Sequence, residues 1–302
     1  MHLTGLFLYP VKSLRGFAVA SAEVDALGLV GDRRFLVVDE TGRFLTQRTL
    51  PRMARVDTAL DATHLTLSAE GAGRVRVILA PDPASPELAE RAAPLRTVTI
   101  WKSEGLQAED CGAAAAEFLS AFLATHCRLV RIGPAFCRPV LKPAARPGEN
   151  FHFGDGAPVL VISEASLADL NDRIVANSEE AVPMDRFRPN LVVTGCAAFA
   201  EDAWPRFRLG STVFRAAGAS IRCIVTTTDQ LTGERGHEPL RTLATYRRAP
   251  TDPTGVIFGQ NLINETKSGS LRVGDVVELY QSPVRFGLGA AAGVPASRSG
   301  NP

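Results

Sequence analysis

Short apolar runs alternate with turn-forming residues over the first hundred positions, and this pattern predicts β-strands. The run RRFLVVD (33–39) is β-branched and has turn residues on both sides. The segments HLTLS (64–68) and RVRVILA (74–80) flank EGAG and predict a hairpin, and LRTVTIW (95–101) predicts a further strand. The first hundred residues are therefore predicted to be mostly β.

Three segments have the composition and spacing of helices. Residues 108–127 are rich in alanine and leucine, with acidic residues near their start. Residues 163–177 place Leu167, Leu170 and Ile174 on one face, and Ser163 is suited to cap that helix. A shorter helix is predicted over 239–248.

Strands return in the second half of the chain. They are predicted at NLVVTG (190–195), two or three times within 206–227, and at VGDVVELY (273–280). Many short strands in no regular βαβ order predict a mostly antiparallel, β-rich α+β fold, a barrel with helices packed outside. The segments 80–94 and 138–158 are predicted loops, and the Gly/Ala-rich residues 287–302 are predicted to be disordered.

Composition narrows the classes of function. The chain has 302 residues, which suits one large domain or two of ordinary size, and its net charge of +1 gives no support for nucleic-acid binding. It has no apolar run of 18 residues and no signal-peptide pattern, so no membrane association is expected. Five irregularly spaced cysteines without a CxxC pair indicate a reduced, cytoplasmic protein. Neither a Rossmann fingerprint nor a P-loop follows a predicted strand.

Two N-terminal segments could bind an anion. In YPVKSLRG (9–16), Lys12, Ser13 and the turn amides could cradle a phosphate, although a solvated turn explains the same residues. In GDRRFLVVD (31–39), alternation places Arg33 and Arg34 on opposite faces of a buried strand, so one of the two is expected to point inward and to need an anionic partner. That partner could be Asp32 or a ligand phosphate.

The segment MDRFRPNLVVTG (184–195) offers a second anion-binding group. Arg186 and Arg188 are two residues apart and are predicted to share a face; Arg188 also precedes Pro189, which favours extended backbone. Asn190 can both donate and accept a hydrogen bond. These residues suit an anion or the edge of a heterocycle, or else a salt bridge on an edge strand.

The segment IRCIVTTTDQLTG (221–233) contains a lone cysteine at the end of a predicted strand. Cys223 is either a small core residue or a reactive thiolate that binds a metal or acts as a nucleophile. Strand alternation places Arg222 on the opposite face from Cys223. Thr226 and Asp229 follow in a polar turn.

Taken together and in this order, the motifs YPVKSLRG, GLVGDRRFLVVDE, ISEASLADLN, RFRPNLVVTGC and IRCIVTTTDQLTG resemble the MOSC family (molybdenum-cofactor sulfurase C-terminal domain) with its N-terminal β-barrel companion. Within it they are most similar to the mitochondrial amidoxime-reducing components and their bacterial relatives. The resemblance covers residues 1–282. It implies an N-terminal β subdomain over 1–100, a MOSC domain over 101–282 and a disordered tail over 283–302.

The resemblance also implies a bound molybdenum cofactor. The family's molybdenum ligand matches Cys223, and the residues at its phosphate end match Lys12, Ser13 and Arg33. Further cofactor contacts are implied or expected for a second set of residues: Asp155, Arg188, Asn190, Arg222 and Thr226. Asp229 is expected to form part of the catalytic wall, and Gln230 follows it where some relatives have proline.

The activity that the resemblance implies is reduction of amidoximes, hydroxylamines or N-hydroxylated bases. No cysteine follows Cys223, so no built-in iron–sulfur cluster is expected, nor haem or pyridoxal phosphate. A separate flavin, iron–sulfur or cytochrome protein would supply electrons. The first alternative is a sulfur-transfer module that carries a persulfide on Cys223. The second is a non-enzymatic barrel in which Cys223 is a core residue.

Overall fold

The computed structural model describes residues 1–79, 93–250 and 252–280. Its strands are β1 (His2–Leu8), β2 (Phe17–Ala18), β3 (Ser21–Asp25), β4 (Gly28–Leu29), β5 (Phe35–Val38), β6 (Asp57–Leu60), β7 (His64–Ala69), β8 (Gly73–Ile78), β9 (Leu95–Ile100), β10 (Ser103–Asp110), β11 (Arg128–Arg131), β12 (Val159–Ser163), β13 (Leu191–Thr194), β14 (Arg206–Leu209), β15 (Thr212–Arg222), β16 (Arg248–Ala249), β17 (Asp252–Asn264), β18 (Gly269–Arg272) and β19 (Val277–Leu279). Its helices are α1 (Ala113–Leu123), α2 (Glu164–Ala176) and α3 (Leu240–Tyr246). The predicted β-rich α+β class is confirmed.

The largest sheet joins the two ends of the chain. Its order is β19-β14-β15-β17-β12-β13-β1-β2, with β16 also paired to β17. Only β12 and β13 pair in parallel, and the other pairs are antiparallel as predicted. Strand β1 pairs with β13 through Leu6 and Leu191, so β1 and its neighbour β2 belong to a sheet otherwise built after residue 158. The N-terminal segment that follows β1 is thereby held beside the C-terminal strands.

Three smaller sheets complete the β structure. One has the order β5-β11-β10-β9, another is the predicted hairpin extended to β6-β7-β8, and a third is β18-β3-β4. Leu36 and Val130 belong to one apolar core of the first of these sheets, whereas Val37 and Leu129 pack with the hairpin and α1. Alternate residues of β5 are therefore buried on both faces.

The helices pack against the outside of these sheets. Helix α1 buries Leu119 and Phe122 in the core that includes the hairpin. Ser163 caps α2 as predicted, because its hydroxyl accepts a hydrogen bond from the Ser166 amide. Among the described residues there is no helix that is both long and apolar enough to cross a membrane.

Two sequence predictions of secondary structure are wrong in part. The helix predicted over 108–127 begins only at Ala113, and Ser103–Asp110 form strand β10 instead. Asp110 is buried there and pairs with Arg128, a tertiary contact that overrides helix propensity. The long strand β17 was missed because buried Gln260 and Asn264 interrupt its apolar pattern. Predictions for 80–92 and 281–302 lie outside the described residues.

Candidate functional site

One cleft brings together nine of the ten residues to which the family resemblance gives a catalytic or cofactor-binding role. These are Lys12, Ser13, Arg33, Asp155, Arg188, Asn190, Arg222, Cys223 and Thr226. The other lining residues are Thr46, Arg48, Gly154, Gly156, Ala157, Val159, Leu160, Phe187, Ser220, Ile221, Val225 and Asn261. Strands β12, β15 and β17 contribute to it, together with the loops before and after the strands. Residues far apart in the sequence therefore form a single site.

The cleft carries excess positive charge. Its lining contains five cationic side chains, Lys12, Arg33, Arg48, Arg188 and Arg222, against a single carboxylate, Asp155. Guanidinium and ammonium groups concentrated in a concave surface attract anions, and arginine binds phosphate oxygens through its forked donors. The cleft is therefore suited to an anionic ligand.

Backbone strain is concentrated at the same place. Ser13, Arg33 and Arg188 have φ angles of 67°, 46° and 55°, in the left-handed region. Such a conformation costs a non-glycine residue about 1–3 kcal/mol and is typical of functional sites. The extended backbone predicted for Arg188 is thus wrong, because this residue ends a 3₁₀ turn over Met184–Phe187.

Asp32 is the fixed partner of Arg33. Its carboxylate is fully buried, accepts hydrogen bonds from the Tyr9 amide (2.8 Å) and Arg33 Nη1 (2.6 Å), and lies 3.3 Å from His152 Nε2. Burial raises the pKa of Asp32, but Arg33 and His152 together outweigh this and hold that pKa well below its usual range. Arg33 Nη1 also donates to Asn190 Oδ1 at 3.0 Å. Asp32 therefore fixes Arg33, which in turn contacts Asn190.

Tyr9 is a site residue that the sequence did not reveal. Its ring is buried and contacts two guanidinium groups, with Arg188 Cζ 4.3 Å and Arg33 Cζ 4.6 Å from the ring centroid. A cation over an aromatic face is stabilised by about 0.5–2 kcal/mol. Nothing in YPVKSLRG distinguishes such a ring from an ordinary core tyrosine. Tyr9 therefore supports the guanidinium groups of both arginines.

Replacement of Tyr9 tests this arrangement. We expect Tyr9→Leu to weaken phosphate binding by cofactor-free protein about tenfold, because both guanidinium groups lose their aromatic support. Tyr9→Phe keeps the ring and should bind phosphate within about twofold of the unsubstituted protein. Titration calorimetry measures both. Equal affinities for the leucine and phenylalanine variants would show that the ring does not position the arginines.

Lys12 is buried rather than part of a solvated turn. Its ammonium is 2.5 Å from Asp155 Oδ1, and it lies 5.7 Å from the centroid of the Phe44 ring. Burial lowers the pKa of Lys12 to about 8, although Asp155 opposes the shift. Trp101 Nε1 also donates to Asp155 Oδ1 at 2.9 Å, which holds this carboxylate at the edge of the cleft.

The lowered pKa of Lys12 makes anion binding depend on pH. As pH rises through about 8, Lys12 loses its proton and the cleft loses one positive charge. We expect affinity for sulfate, whose own charge is constant here, to fall about threefold to tenfold between about pH 7 and about pH 9. Lys12→Arg, which stays protonated, should remove most of this fall. An unchanged pH profile in Lys12→Arg would assign the titration to another group.

Cys223 follows the last residue of β15 and precedes a 3₁₀ turn over Ile224–Thr227. Its side chain is partly exposed and lines the cleft. The Thr226 amide and hydroxyl both donate to the Cys223 carbonyl at 3.0 Å, so Thr226 holds the cysteine backbone. The thiol is therefore presented to the cleft on a fixed backbone.

Arg222 and Cys223 both line the cleft, although strand alternation predicts opposite faces for neighbouring residues. The guanidinium of Arg222 donates to the Phe187 carbonyl (2.6 Å) and to Ser220 Oγ (2.8 Å). Burial lowers the pKa of Arg222 to about 10, opposed by Cys223.

Asp229 and Arg186, both candidate site residues from the sequence, lie outside the lining of the cleft and pair with each other. Asp229 accepts hydrogen bonds from the Leu231 and Thr232 amides (2.8 and 2.9 Å) and from Arg186 Nη2 (2.9 Å). Arg186 also donates to the Thr227 carbonyl at 3.0 Å. Asp229 and Arg186 thus tie the loop after Cys223 to the turn before Arg188. The observed contacts of Asp229 are with this loop and with Arg186.

The residues of the cleft fit an anionic cofactor that brings its own metal ligands. Arg188 Nη2 and Arg222 Nε are buried and have no hydrogen-bond partner among the described residues. Buried donors of this kind are costly unless a ligand accepts from them. The described residues contain no cluster of three or more histidine, cysteine or acidic side chains able to hold a metal. A metal at Cys223 would therefore need further ligands from outside the described residues.

Comparison with known proteins identifies two family domains. Residues 1–126 match the MOSC N-terminal beta barrel domain, and residues 148–278 match the MOSC domain. Mitochondrial amidoxime-reducing component 1 of Mus musculus is 36% identical over 91% of this chain and 81% of that protein. The Homo sapiens protein of the same name is 36% identical with the same coverage, and component 2 of Bos taurus is 34% identical over 90% of this chain and 81% of that protein. The crystal structure of the YUAD protein from Bacillus subtilis is 12% identical, covers 93% of this chain and 96% of that chain, and has a TM-score of 0.38, too low to inform the fold or the site.

Proposed function

Because this chain belongs to the MOSC family that carries an N-terminal MOSC β-barrel domain, we propose that it is a molybdenum-cofactor-dependent oxidoreductase that reduces N-hydroxylated compounds. The observation that carries the proposal is the cationic cleft that joins Cys223 to Lys12, Ser13 and Arg33. The names of the relatives support the reaction class.

The chain would hold the cofactor at two ends. Cys223 would supply a thiolate to molybdenum, a soft ligand on a fixed strand end. Lys12, Ser13 and Arg33 would hold the phosphate, and Arg188 Nη2 would gain an acceptor that the described residues do not give it. When bound, the cofactor supplies the two-electron redox change.

The reaction balances with two electrons and two protons. The N–O bond of an amidoxime, hydroxylamine or N-hydroxylated base is broken, N–H is formed, and the oxygen leaves as water. The chain's part is to hold and charge the site: Arg222 keeps a guanidinium beside Cys223, and the buried Thr226 fixes the cysteine backbone. We propose that the electrons come from a separate flavin, iron–sulfur or cytochrome protein and that the protein works in the cytoplasm.

Reduction of benzamidoxime with a reduced viologen dye as electron donor tests the proposed activity. The protein is purified from a host that makes the molybdenum cofactor, and benzamidine is quantified by chromatography. We expect turnover that depends on the protein and on the donor. Cofactor-loaded protein that reduces neither benzamidoxime nor an N-hydroxylated base would contradict the proposal.

A further inference from the structure

We propose that Gln230 and Gln47 form a positioning pair that sets the guanidinium of Arg188 and the backbone of Ser13 in the cleft. This proposal rests on the function proposed above, since it treats Arg188 as a group that contacts the cofactor.

The two glutamine side chains form a closed pair of amides. Gln47 Nε2 donates to Gln230 Oε1, and Gln230 Nε2 donates to Gln47 Oε1, both at 3.0 Å. The second proton of each amide is also used: Gln47 donates to the Ser13 carbonyl (2.9 Å) and Gln230 to the Thr228 carbonyl (3.0 Å). All four amide N–H groups are thus engaged.

This pair contacts two of the strained residues of the cleft. Gln230 Oε1 accepts a hydrogen bond from Arg188 Nη1 at 3.3 Å, while Gln47 holds the carbonyl of Ser13. Both Ser13 and Arg188 have left-handed backbone. A strained residue persists only when its surroundings hold it. The pair therefore orients Arg188 through Nη1. The buried Nη2 of Arg188 has no hydrogen-bond partner among the described residues.

Burial makes the pair rigid. Gln47 is 0% and Gln230 4% exposed, so water does not compete for these hydrogen bonds. Arg15 adds a further anchor, because its Nε donates to the Gln230 carbonyl at 3.1 Å. Removal of one partner would leave buried amide groups unpaired, at a cost of about 1–3 kcal/mol each.

A neutral amide suits this position better than a carboxylate. Glutamate at 230 would face Arg188 as an ion pair and offset the charge that an anionic ligand uses. It would also place its oxygens against Gln47 Oε1 and the Thr228 carbonyl, which now accept from Gln230 Nε2. The amide orients Arg188 without neutralising it.

A double-mutant cycle tests whether Gln230 acts through Arg188. Binding of inorganic phosphate to cofactor-free protein is measured by titration calorimetry for Gln230→Ala, Arg188→Ala and the double variant. We expect Gln230→Ala to weaken binding about threefold to tenfold, and to cause a clearly smaller loss when Arg188 is already alanine, because only the contact with Ser13 then remains. Additive losses, unchanged binding in Gln230→Ala, or no phosphate binding by the unsubstituted protein would each overturn the proposal.

Gln230→Glu provides a second variant that keeps side-chain size. We expect weaker phosphate binding than in Gln230→Ala, together with a lower molybdenum content after expression in a cofactor-making host. Binding equal to that of the unsubstituted protein would overturn the proposal. Phosphate binding does not require turnover, so the two proposals can fail separately. Non-additive losses in the double-mutant cycle, in protein that does not reduce benzamidoxime, would contradict the proposed activity and still support the positioning role of the glutamine pair.

Discussion

Cys223→Ser is expected to abolish N-reductive turnover, with a loss of more than about a thousandfold in kcat/KM. A serine hydroxyl is a hard, largely protonated group and a poor substitute for a thiolate at a soft metal site. The fold should persist, because Thr226 binds the carbonyl of residue 223 and not its side chain. Benzamidoxime reduction and circular dichroism measure the two effects.

Cys137→Ser is the matched control. Cys137 is exposed, lies outside the lining of the cleft and contacts Asn150 Oδ1 at 3.4 Å. The Cys137→Ser variant should keep turnover within about twofold of the unsubstituted protein, because surface substitutions usually have small effects. Full activity of Cys223→Ser would contradict the proposed role of the thiolate. A cyanide-labile sulfur on Cys223 in protein without metal would instead support the persulfide carrier.

Asp32→Asn is expected to lower the free energy of unfolding by about 3–5 kcal/mol, the cost of breaking a buried ion pair at one partner. The carboxylate is fully buried against Arg33, the Tyr9 amide and His152, so its loss leaves the Arg33 charge without its partner. Urea unfolding at neutral pH measures the change. Phosphate affinity should fall as well, since Arg33 is no longer held.

Asp32 stabilises the folded protein at neutral pH and loses this effect in acid. Its pKa is lower in the folded protein than in the unfolded chain, so its contribution is full above the unfolded value of about 4. That contribution is lost as pH falls through the folded pKa. Asp57→Asn is the control, because Asp57 is 53% exposed and pairs with Arg15 at the surface. Asp57→Asn should lower the free energy of unfolding by less than about 1 kcal/mol. A similar cost for both variants would show that the buried carboxylate does not anchor the site.

The sequence allowed the ligand-contacting residues to be predicted where a motif carried them. Lys12, Arg33, Asn190 and Cys223 each lie in a segment that marks the family, and all four line the cleft. Their distances from one another could not be predicted, since β1 and β13 meet only through the pairing of chain segments about 185 residues apart.

The supporting residues carried no such signal. Tyr9 and Gln47 resemble ordinary core and surface residues in the sequence, and only their contacts with Arg188 and Ser13 give them a role. Strand alternation separates Arg222 from Cys223, yet both residues line the cleft. Local periodicity predicts which elements form, but not which side chains meet where an element ends.

The most direct test of the central claim is the molybdenum and pterin content of the purified protein. Elemental analysis and fluorescence of the oxidised pterin are measured on protein from a cofactor-making host, for the unsubstituted chain and for Cys223→Ser. We predict close to one molybdenum and one pterin per chain, with the molybdenum lost or greatly reduced in the variant. Protein that contains neither molybdenum nor pterin, in a host that loads other molybdenum enzymes, would contradict the account.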